Sequence, residues 1–419
     1  MRELNNCRRA GRGAGALALA LLVHAAPPAR AGEILGEVDA RAGVGVTDNA
    51  QYVPGDAKQR DELLSGTGAG RLRYRGPLWN HSLGYQATGT VYLESIGPSG
   101  YSQSAAWQTT GIITPQWKLD LGASASYAQT TVFDREDVQT VMPRLTPLGK
   151  TTYTSFSANQ ALTYEPNPRR KFAEALMVSR IHVLDAPAQV SFPDTFMIGG
   201  NLRGEQQLSI DQINADITGA YMSSFYPNGR GQDREWLLLQ ALAGWRRDIN
   251  PQWSAEARIG AMGIFLLDGL RGIIAPAFQL NAAYKRERWF ANASLQQTVT
   301  PNVWGGSAMI SDILLVRAAL PLTRSERYYF MGFGSYMYGR QATSAGSVHS
   351  FDNRTVGATL TARSEKRPFY AQLEYTFTDQ VFYAGDGGNV PLRRQMLMLN
   401  VGGTLIFGKG QPSIFGGVL

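Results

Sequence analysis

The sequence has almost no cysteine, few charged residues and no long apolar run beyond its N-terminal region. Cys7 is the only cysteine among the 419 residues, and it precedes the apolar part of a predicted signal peptide. A mature chain without cysteine has no disulfide framework, no thiolate metal site and no cysteine nucleophile. After the leader no stretch reaches the roughly 18 apolar residues of a spanning helix. If the chain enters a membrane, it must therefore cross it with strands.

The N-terminal region has the features of a secretory signal. Arginines among the first twelve residues precede an apolar stretch from about Ala14 to Ala26 and the small-residue site Ala29–Ala31. We predict a signal peptide over residues 1–31, exported by the general secretory route. Its removal takes away five Arg and one Glu, which leaves 35 basic against 32 acidic residues, or +3 instead of +7. The basic balance thus belongs mostly to the leader, and we expect no nucleic-acid partner.

The mature region alternates polar and apolar residues with the period of a β-strand. In the first such segment Glu37, Asp39 and Arg41 alternate with Val38 and Ala40. The segments run about 10 to 14 residues, which suits a tilted strand across a bilayer better than a soluble strand. We therefore predict one domain over residues 32–407: an all-β, single transmembrane up-and-down antiparallel β-barrel of about 18 strands. The last strand is predicted at about Arg394–Phe407, followed by a short periplasmic tail over residues 408–419.

Connector lengths and aromatic residues support the same architecture. Every second connector is short, whereas the intervening ones are mostly longer, notably Asp48–Asp61 and Asp134–Lys150. Short periplasmic turns and longer extracellular loops are typical of outer-membrane barrels. Aromatic residues beside the short turns are predicted to form the periplasmic interfacial girdle; they are Trp79, Trp117, Tyr164, Trp245, Trp253, Tyr284, Trp289, Tyr328 and Tyr370.

A barrel of this width leaves an aqueous passage unless a loop or plug fills it. The polar face of the strands predicts a charged lumen lining, with Glu37, Asp39, Arg41, Arg71, Arg73, Glu94, Arg180, Arg203, Glu205, Asp216, Glu256, Arg258, Arg317, Arg363, Glu374 and Arg394. Both signs of charge are present. They indicate either a ladder of ion pairs that keeps the wall hydrated and stiff, or a binding path for a polar polymer. Neutral candidates for weak contacts with such a polymer are Gln86, Gln108, Asn201, Gln207, Gln279, Asn292, Gln296, Tyr336 and Gln372.

Catalysis is not indicated. The mature region has three histidines, His81, His182 and His349, and each is expected to be a solvated rim or loop residue. The sequence has no phosphate-binding glycine loop and no metal-ligand spacing. We predict no enzyme activity, no catalytic residue, no cofactor and no metal site.

The first strand ends in Gly43–Ala50, which reads GVGVTDNA. This Thr-Asp-Asn turn resembles that of outer-membrane barrels found with bacterial exopolysaccharide (Wzx/Wzy-type) and exosortase gene clusters. The resemblance implies a conduit that exports a secreted or capsular polysaccharide, handed over by a periplasmic polysaccharide export protein. Asp and Asn also occur in ordinary turns because their side chains bond the local backbone. As further partners we expect outer-membrane lipid, lipopolysaccharide and the barrel assembly machinery.

Two other functions fit the same architecture. One is a general or substrate-specific porin for small solutes, in which the charged loop Asp134–Lys150 would fold into the lumen as a constriction. The other is a barrel that anchors surface polymer without conducting it.

Overall fold

The computed structural model describes residues 32–49, 60–94, 100–129, 151–185, 193–226, 233–269, 271–302, 307–325, 327–341, 350–364, 368–383 and 389–408. The predicted signal peptide and most of the predicted tail lie outside these residues. The described strands are β1 (Glu33–Thr47), β2 (Asp61–Arg75), β3 (Trp79–Tyr92), β4 (Gly100–Thr114), β5 (Trp117–Gln129), β6 (Thr152–Asn167), β7 (Arg170–Asp185), β8 (Asp194–Gln207), β9 (Asp211–Phe225), β10 (Arg234–Asp248), β11 (Trp253–Leu266), β12 (Arg271–Arg286), β13 (Trp289–Asn302), β14 (Ser307–Pro321), β15 (Tyr328–Gln341), β16 (Ser350–Arg363), β17 (Phe369–Tyr383) and β18 (Asn389–Gly408). In the described part of the chain the helical content is one 3-10 turn, Leu267–Gly269, and no helix there is long and apolar enough to cross a membrane.

The strands form one closed antiparallel barrel. Each described strand pairs with its sequence neighbours, and β1 pairs with β18 from Leu35↔Gly408 to Thr47↔Met396. Closure gives every described strand a partner on both sides, which is the condition for strands to span hydrocarbon; the outer halves of β12 and β13 are the exception described below. The predicted fold and the strand number are confirmed. The last strand is longer than predicted, because its first residues continue the ladder with β17 through Asn389↔Tyr383, above the end of β1.

The distribution of polarity is the reverse of that in a soluble protein. Residues that are paired across a ladder share one face, so the register assigns every strand residue to the lumen or to the outside. On the outer face Ile274 is 75% exposed and Ile259 is 70% exposed, whereas on the inner face Arg258 is 8% and Arg394 is 5% exposed. Large aliphatic side chains thus cover the outside, and charged groups are buried inside. This is the surface of a barrel solvated by lipid.

The aromatic girdle follows the short turns. Trp117 stacks on Tyr164 with ring centroids 4.5 Å apart, and Trp253 meets Tyr284 at 4.8 Å. Eight of the nine predicted girdle residues lie on the outer face at this end of the barrel. The ninth prediction, Tyr370, is wrong: its register with Gly402 places it on the lumen face, where its hydroxyl donates to Asp39 Oδ2 at 3.1 Å.

Side chains reinforce the seam where the chain ends meet. The Asp48 Oδ1 atom accepts a hydrogen bond from the Gln395 backbone at 2.6 Å, and the Asn49 amide donates to the Arg393 carbonyl at 2.8 Å. The Thr47 hydroxyl accepts a hydrogen bond from the Asn49 backbone at 3.3 Å. Together these contacts continue the pairing of the two chain ends just beyond the last pair of the β1–β18 ladder, Thr47↔Met396. The Thr-Asp-Asn motif therefore has a structural role at the barrel seam.

One seam is open. Strands β12 and β13 pair only from Arg286↔Trp289 to Phe278↔Gln297. Beyond that point β12 continues to pair with β11 up to Arg271, and β13 continues to pair with β14 up to Asn302. The outer halves of the two strands separate. We call the segment Thr298–Asn302 with Ser307–Ser311 the inturned hairpin, because it lies inside the barrel, as described below.

Candidate functional site

The structure places most of the predicted charged lining on the lumen face. In the ladders Glu37, Asp39 and Arg41 face the lumen beside Arg71 and Arg73. The register also places Arg203, Glu205, Asp216, Glu256, Arg258, Arg317, Arg363, Glu374 and Arg394 on the same face. These positions follow the alternation of polar and apolar residues along each strand.

Two predicted lining residues lie elsewhere. Glu94 follows the end of β3 in a turn, where its backbone donates to Asp61 Oδ1 at 3.0 Å, so it belongs to the outer rim. Arg180 is on the outer face, in register with Phe156 and Phe196. Its guanidinium lies 4.0 Å from Asp194 at the extracellular end, where a charged side chain reaches water without crossing lipid.

The histidines and the neutral candidates also have definite positions. His182 Nδ1 lies 2.6 Å from Asp194 Oδ2 at the outer rim, and His81 Nδ1 lies 2.8 Å from the Thr109 hydroxyl on the outer face. His349 lies outside the described residues. The glutamine and asparagine candidates face the lumen, but Tyr336 faces outward, with the Arg354 guanidinium 5.8 Å from its ring centroid.

Five of the predicted residues form what we call the ion-pair cluster on β8, β9 and β11: Arg203, Glu205, Asp216, Glu256 and Arg258. The Arg258 Nη1 atom donates to Asp216 Oδ2 at 3.0 Å, and its Nε donates to Glu256 Oε1 at 2.6 Å. The Arg203 Nε atom lies 2.6 Å from Glu205 Oε1, but its N–H does not point at a hydrogen-bond acceptor, so we describe this contact as an ion pair. The side chains of Arg258 and Asp216 are only 10% and 8% exposed.

A glycine makes the central contact of the cluster possible. Arg258 lies on β11 and Asp216 on β9, so the guanidinium must cross β10 between them. It does so over Gly244, where an added Cβ would lie 2.4 Å from Arg258 Cγ and 2.8 Å from Asn214 Oδ1. Sequence reasoning missed Gly244, although a glycine on the polar face of a strand is a signal of close approach.

A second polar group occupies the opposite wall. Arg394 on β18 donates from Nη2 to the Tyr92 hydroxyl at 2.8 Å and from Nε to the Thr47 hydroxyl at 3.2 Å. Arg41 and Glu374 line the same cavity, together with threonines and methionines of the neighbouring strands. The lumen therefore has buried charges of both signs on two facing walls.

The inturned hairpin lies against the wall just above the ion-pair cluster. The Thr298 hydroxyl of β13 donates to Gln240 Oε1 of β10 at 3.3 Å, although β11 and β12 separate these strands in the sheet order. Gln240 is two inward-facing positions above Gly244 on β10. Strand β13 can contact β10 in this way only by crossing part of the lumen, so the hairpin narrows the passage just above the charged residues.

The site offers solvation and ion pairing for a passing solute. In the described part of the chain no three His, Cys, Asp or Glu side chains are grouped so that they could hold a metal ion. The acidic and basic groups of the ion-pair cluster neutralise one another at contact distance, which suits a hydrated wall rather than proton transfer.

Comparisons with known proteins give similarities of structure alone. No protein-family model and no curated protein matches the chain. Its structure is similar to that of OccAB4 from Acinetobacter baumannii, with a TM-score of 0.46, 11% identity, and 90% of this chain and 98% of that chain covered. It is similar to OpdK with vanillate from Pseudomonas aeruginosa, with a TM-score of 0.45, 10% identity and 89% and 99% covered. It is also similar to the siderophore receptor PirA from Pseudomonas aeruginosa, with a TM-score of 0.42, 11% identity, and 90% of this chain and 81% of that chain covered.

The assignment to a membrane comes from the chain's own features. The ladder is closed, aliphatic side chains cover the outside, and stacked aromatic residues ring the end with short turns. These are the properties that distinguish a transmembrane barrel from a soluble one. The protein is an integral β-barrel of the outer membrane.

Proposed function

We propose that the protein is a diffusion channel for small polar solutes. The observation that supports this proposal is the narrowing of a charged lumen: the inturned hairpin reaches Gln240 immediately above the ion-pair cluster. A small hydrated solute can pass a wall of mutually paired charges by exchanging water for weak contacts, because no single group there is unpaired enough to hold it.

A continuous polysaccharide places a different demand on the lumen. A polymer in transit occupies the whole length of the passage at once, so it would have to fit past the inturned hairpin throughout export. Export of a secreted or capsular polysaccharide therefore remains a prediction of the sequence resemblance and the competing hypothesis. The loop Asp134–Lys150, predicted as a porin constriction, lies outside the described residues, and the narrowing described here comes from a different part of the chain.

The test is a liposome swelling assay with purified protein. We expect swelling in arabinose, slower swelling in raffinose and none in a dextran fragment, with heat-unfolded protein as the control. Absence of arabinose-dependent swelling by folded protein would refute the proposal.

A deletion strain separates the two functions in the native host. Loss of one surface polymer with unchanged uptake of small sugars would favour polysaccharide export, whereas reduced sugar uptake with normal polymer would favour the channel. The charge-swap variant R203E/E205R provides a matched test, because it keeps the composition of the wall and reverses the local dipole. For a channel we expect it to change the selectivity between small ions.

A further inference from the structure

Strand β14 is buried on both faces over Ala308–Ser311, and its partner β13 is buried at Thr300. Successive strand residues point to opposite faces, yet Ala308, Met309, Ile310 and Ser311 are all less than 9% exposed. In a barrel wall one of the two faces would meet lipid. Burial of both means that this segment lies within the barrel, with the lumen wall on one side.

The lipid-side face of the buried segment of β14 is covered by an apolar contact. Ala308 and Ile310, which are on the lipid side of β14 by register, join one cluster with side chains on the lumen face of β9–β12. The apolar wall, as we call that lumen face, consists of Met222, Trp236, Leu238, Leu242, Met262, Ile264 and Ala277. A polar channel has no need of such a surface in its lumen. The inturned hairpin thus buries against the apolar wall a face that would otherwise contact hydrocarbon.

The inturned position of the hairpin has two unfavourable features. The hydroxyls of Thr300 and Ser311 are buried without a hydrogen-bond partner, and a buried hydroxyl without a partner is destabilising. The ladder between β12 and β13 is also unformed beyond Phe278↔Gln297, beside an outer face where Ile274 is 75% exposed. If the inturned hairpin moved into line with the barrel strands, the β12–β13 ladder would be restored. The apolar face of the hairpin would then contact lipid, and the apolar wall would be uncovered.

We propose that the β12–β13 seam is a lateral port to the outer leaflet, and that the apolar wall binds the apolar body of a membrane-partitioning solute in place of the inturned hairpin. Ala308 and Ile310 occupy the wall with alkyl groups, so a ligand that replaces them carries an alkyl or aromatic body of similar size. The route is separate from the axial passage of polar solutes. An apolar molecule leaves the lumen sideways, between Ala277 and Thr298, without crossing the aqueous end of the barrel.

The first test locks the seam. Continuation of the register beyond Phe278↔Gln297 would bring Ala277 opposite Thr298, at the Cα separation that a disulfide requires. The variant A277C/T298C, with Cys7 replaced by Ser, is expected to cross-link on oxidation and hold the port shut. The matched control is A283C/N292C, a pair that already faces across the formed half of the same seam.

The readout is uptake of the apolar dye N-phenyl-1-naphthylamine by Gram-negative cells that express each variant, with heat-modifiable migration as the test of folding. We expect oxidised A277C/T298C to lower dye uptake to that of cells without the protein, with recovery on reduction, and the control pair to have no effect. Unchanged dye uptake with the cross-link formed overturns the lateral port. A pair that never cross-links also overturns it, because the hairpin then never reaches the wall.

The second test addresses binding directly. Met262 lies in the apolar wall, and Met331 also faces the lumen but lies on β15, outside that cluster. We expect Met262→Gln to weaken binding of the dye to purified protein and Met331→Gln to leave it unchanged; equal affinities contradict the assigned site. Arabinose swelling, measured in parallel, reports on the proposed channel, so failure of either idea is visible without the other.

Discussion

Replacement of Arg258 by Met tests whether the ion-pair cluster is a structural part of the lumen wall. Methionine keeps much of the length of the side chain but removes the guanidinium that Asp216 and Glu256 share at 3.0 Å and closer. Both carboxylates then remain largely buried, at 8% and 16% side-chain exposure, without their cation. Removal of one partner from a buried pair costs about 3–5 kcal/mol, because the remaining charge is uncompensated.

The control for this loss of stability is Arg73→Met. Arg73 also faces the lumen, but it lies 3.7 Å from Glu37 and the two side chains are 30% and 23% exposed. A solvated pair of this kind contributes about 1 kcal/mol or less. We expect urea unfolding in lipid vesicles, followed by tryptophan fluorescence, to show a clearly larger loss for R258M than for R73M. The triple variant R258M/D216N/E256Q should recover most of the difference.

The same substitution changes the charge at the narrowing. The cluster has two arginines and three carboxylates, so its formal charge changes from −1 to −2 in R258M. In planar bilayers we expect the reversal potential across a salt gradient to shift toward cation preference. Equal stability losses for R258M and R73M, together with an unchanged reversal potential, would refute the reasoning, since both effects follow from a buried cation beside the passage.

Two further substitutions test features that support the wall. Gly244→Val places side-chain carbons where Arg258 crosses β10, so we expect a loss of stability in the same urea assay that approaches that of R258M, whereas Gly68→Val, with nothing near its Cβ position, should be nearly neutral. Asp48→Ala removes the 2.6 Å hydrogen bond from the Gln395 backbone. We expect the free energy of unfolding to fall by about 1–3 kcal/mol, because a hydrogen bond to a charged acceptor is lost. Asp48→Asn should retain part of this stability, because the amide oxygen can still accept the bond.

The fold could be predicted because each of its determinants is local. The alternation of Glu37, Asp39 and Arg41 with Val38 and Ala40 specifies a strand with a polar and an apolar face, and the next short turn reverses the chain. The end of the last strand was harder to predict. Residues before Arg394 have no polar alternation of their own and are strand only because β17 extends beside them.

The lining residues were predictable only where one face of a strand is consistently polar. Strand β7 has Lys171 and Ser179 on one face and Glu174 and Arg180 on the other, so parity did not decide between them and Arg180 was assigned to the wrong face.

The inturned hairpin was not predicted, although the sequence contains signals for it. Ala308, Met309 and Ile310 are consecutive apolar residues, a pattern that indicates burial on both faces rather than one. Pro276 and Pro301 fall in the separated halves of β12 and β13, and a proline cannot donate to a ladder, so it favours an edge. Contact with Gln240 depends on the curvature of the whole barrel, which no local pattern encodes.

The hydrogen bonds that Asp48 and Asn49 form at the β1–β18 seam have a kinetic consequence. Asp48 and Gln395 are 347 residues apart in the chain, whereas every other pair of adjacent strands is joined by a single connector. Contacts of such long sequence separation form late in folding, because the chain between them must first be ordered. Interactions absent from the transition state slow unfolding more than they accelerate folding. Asp48 and Asn49 should therefore act mainly on the lifetime of the closed barrel, and loss of these hydrogen bonds should appear as faster opening at an almost unchanged rate of assembly.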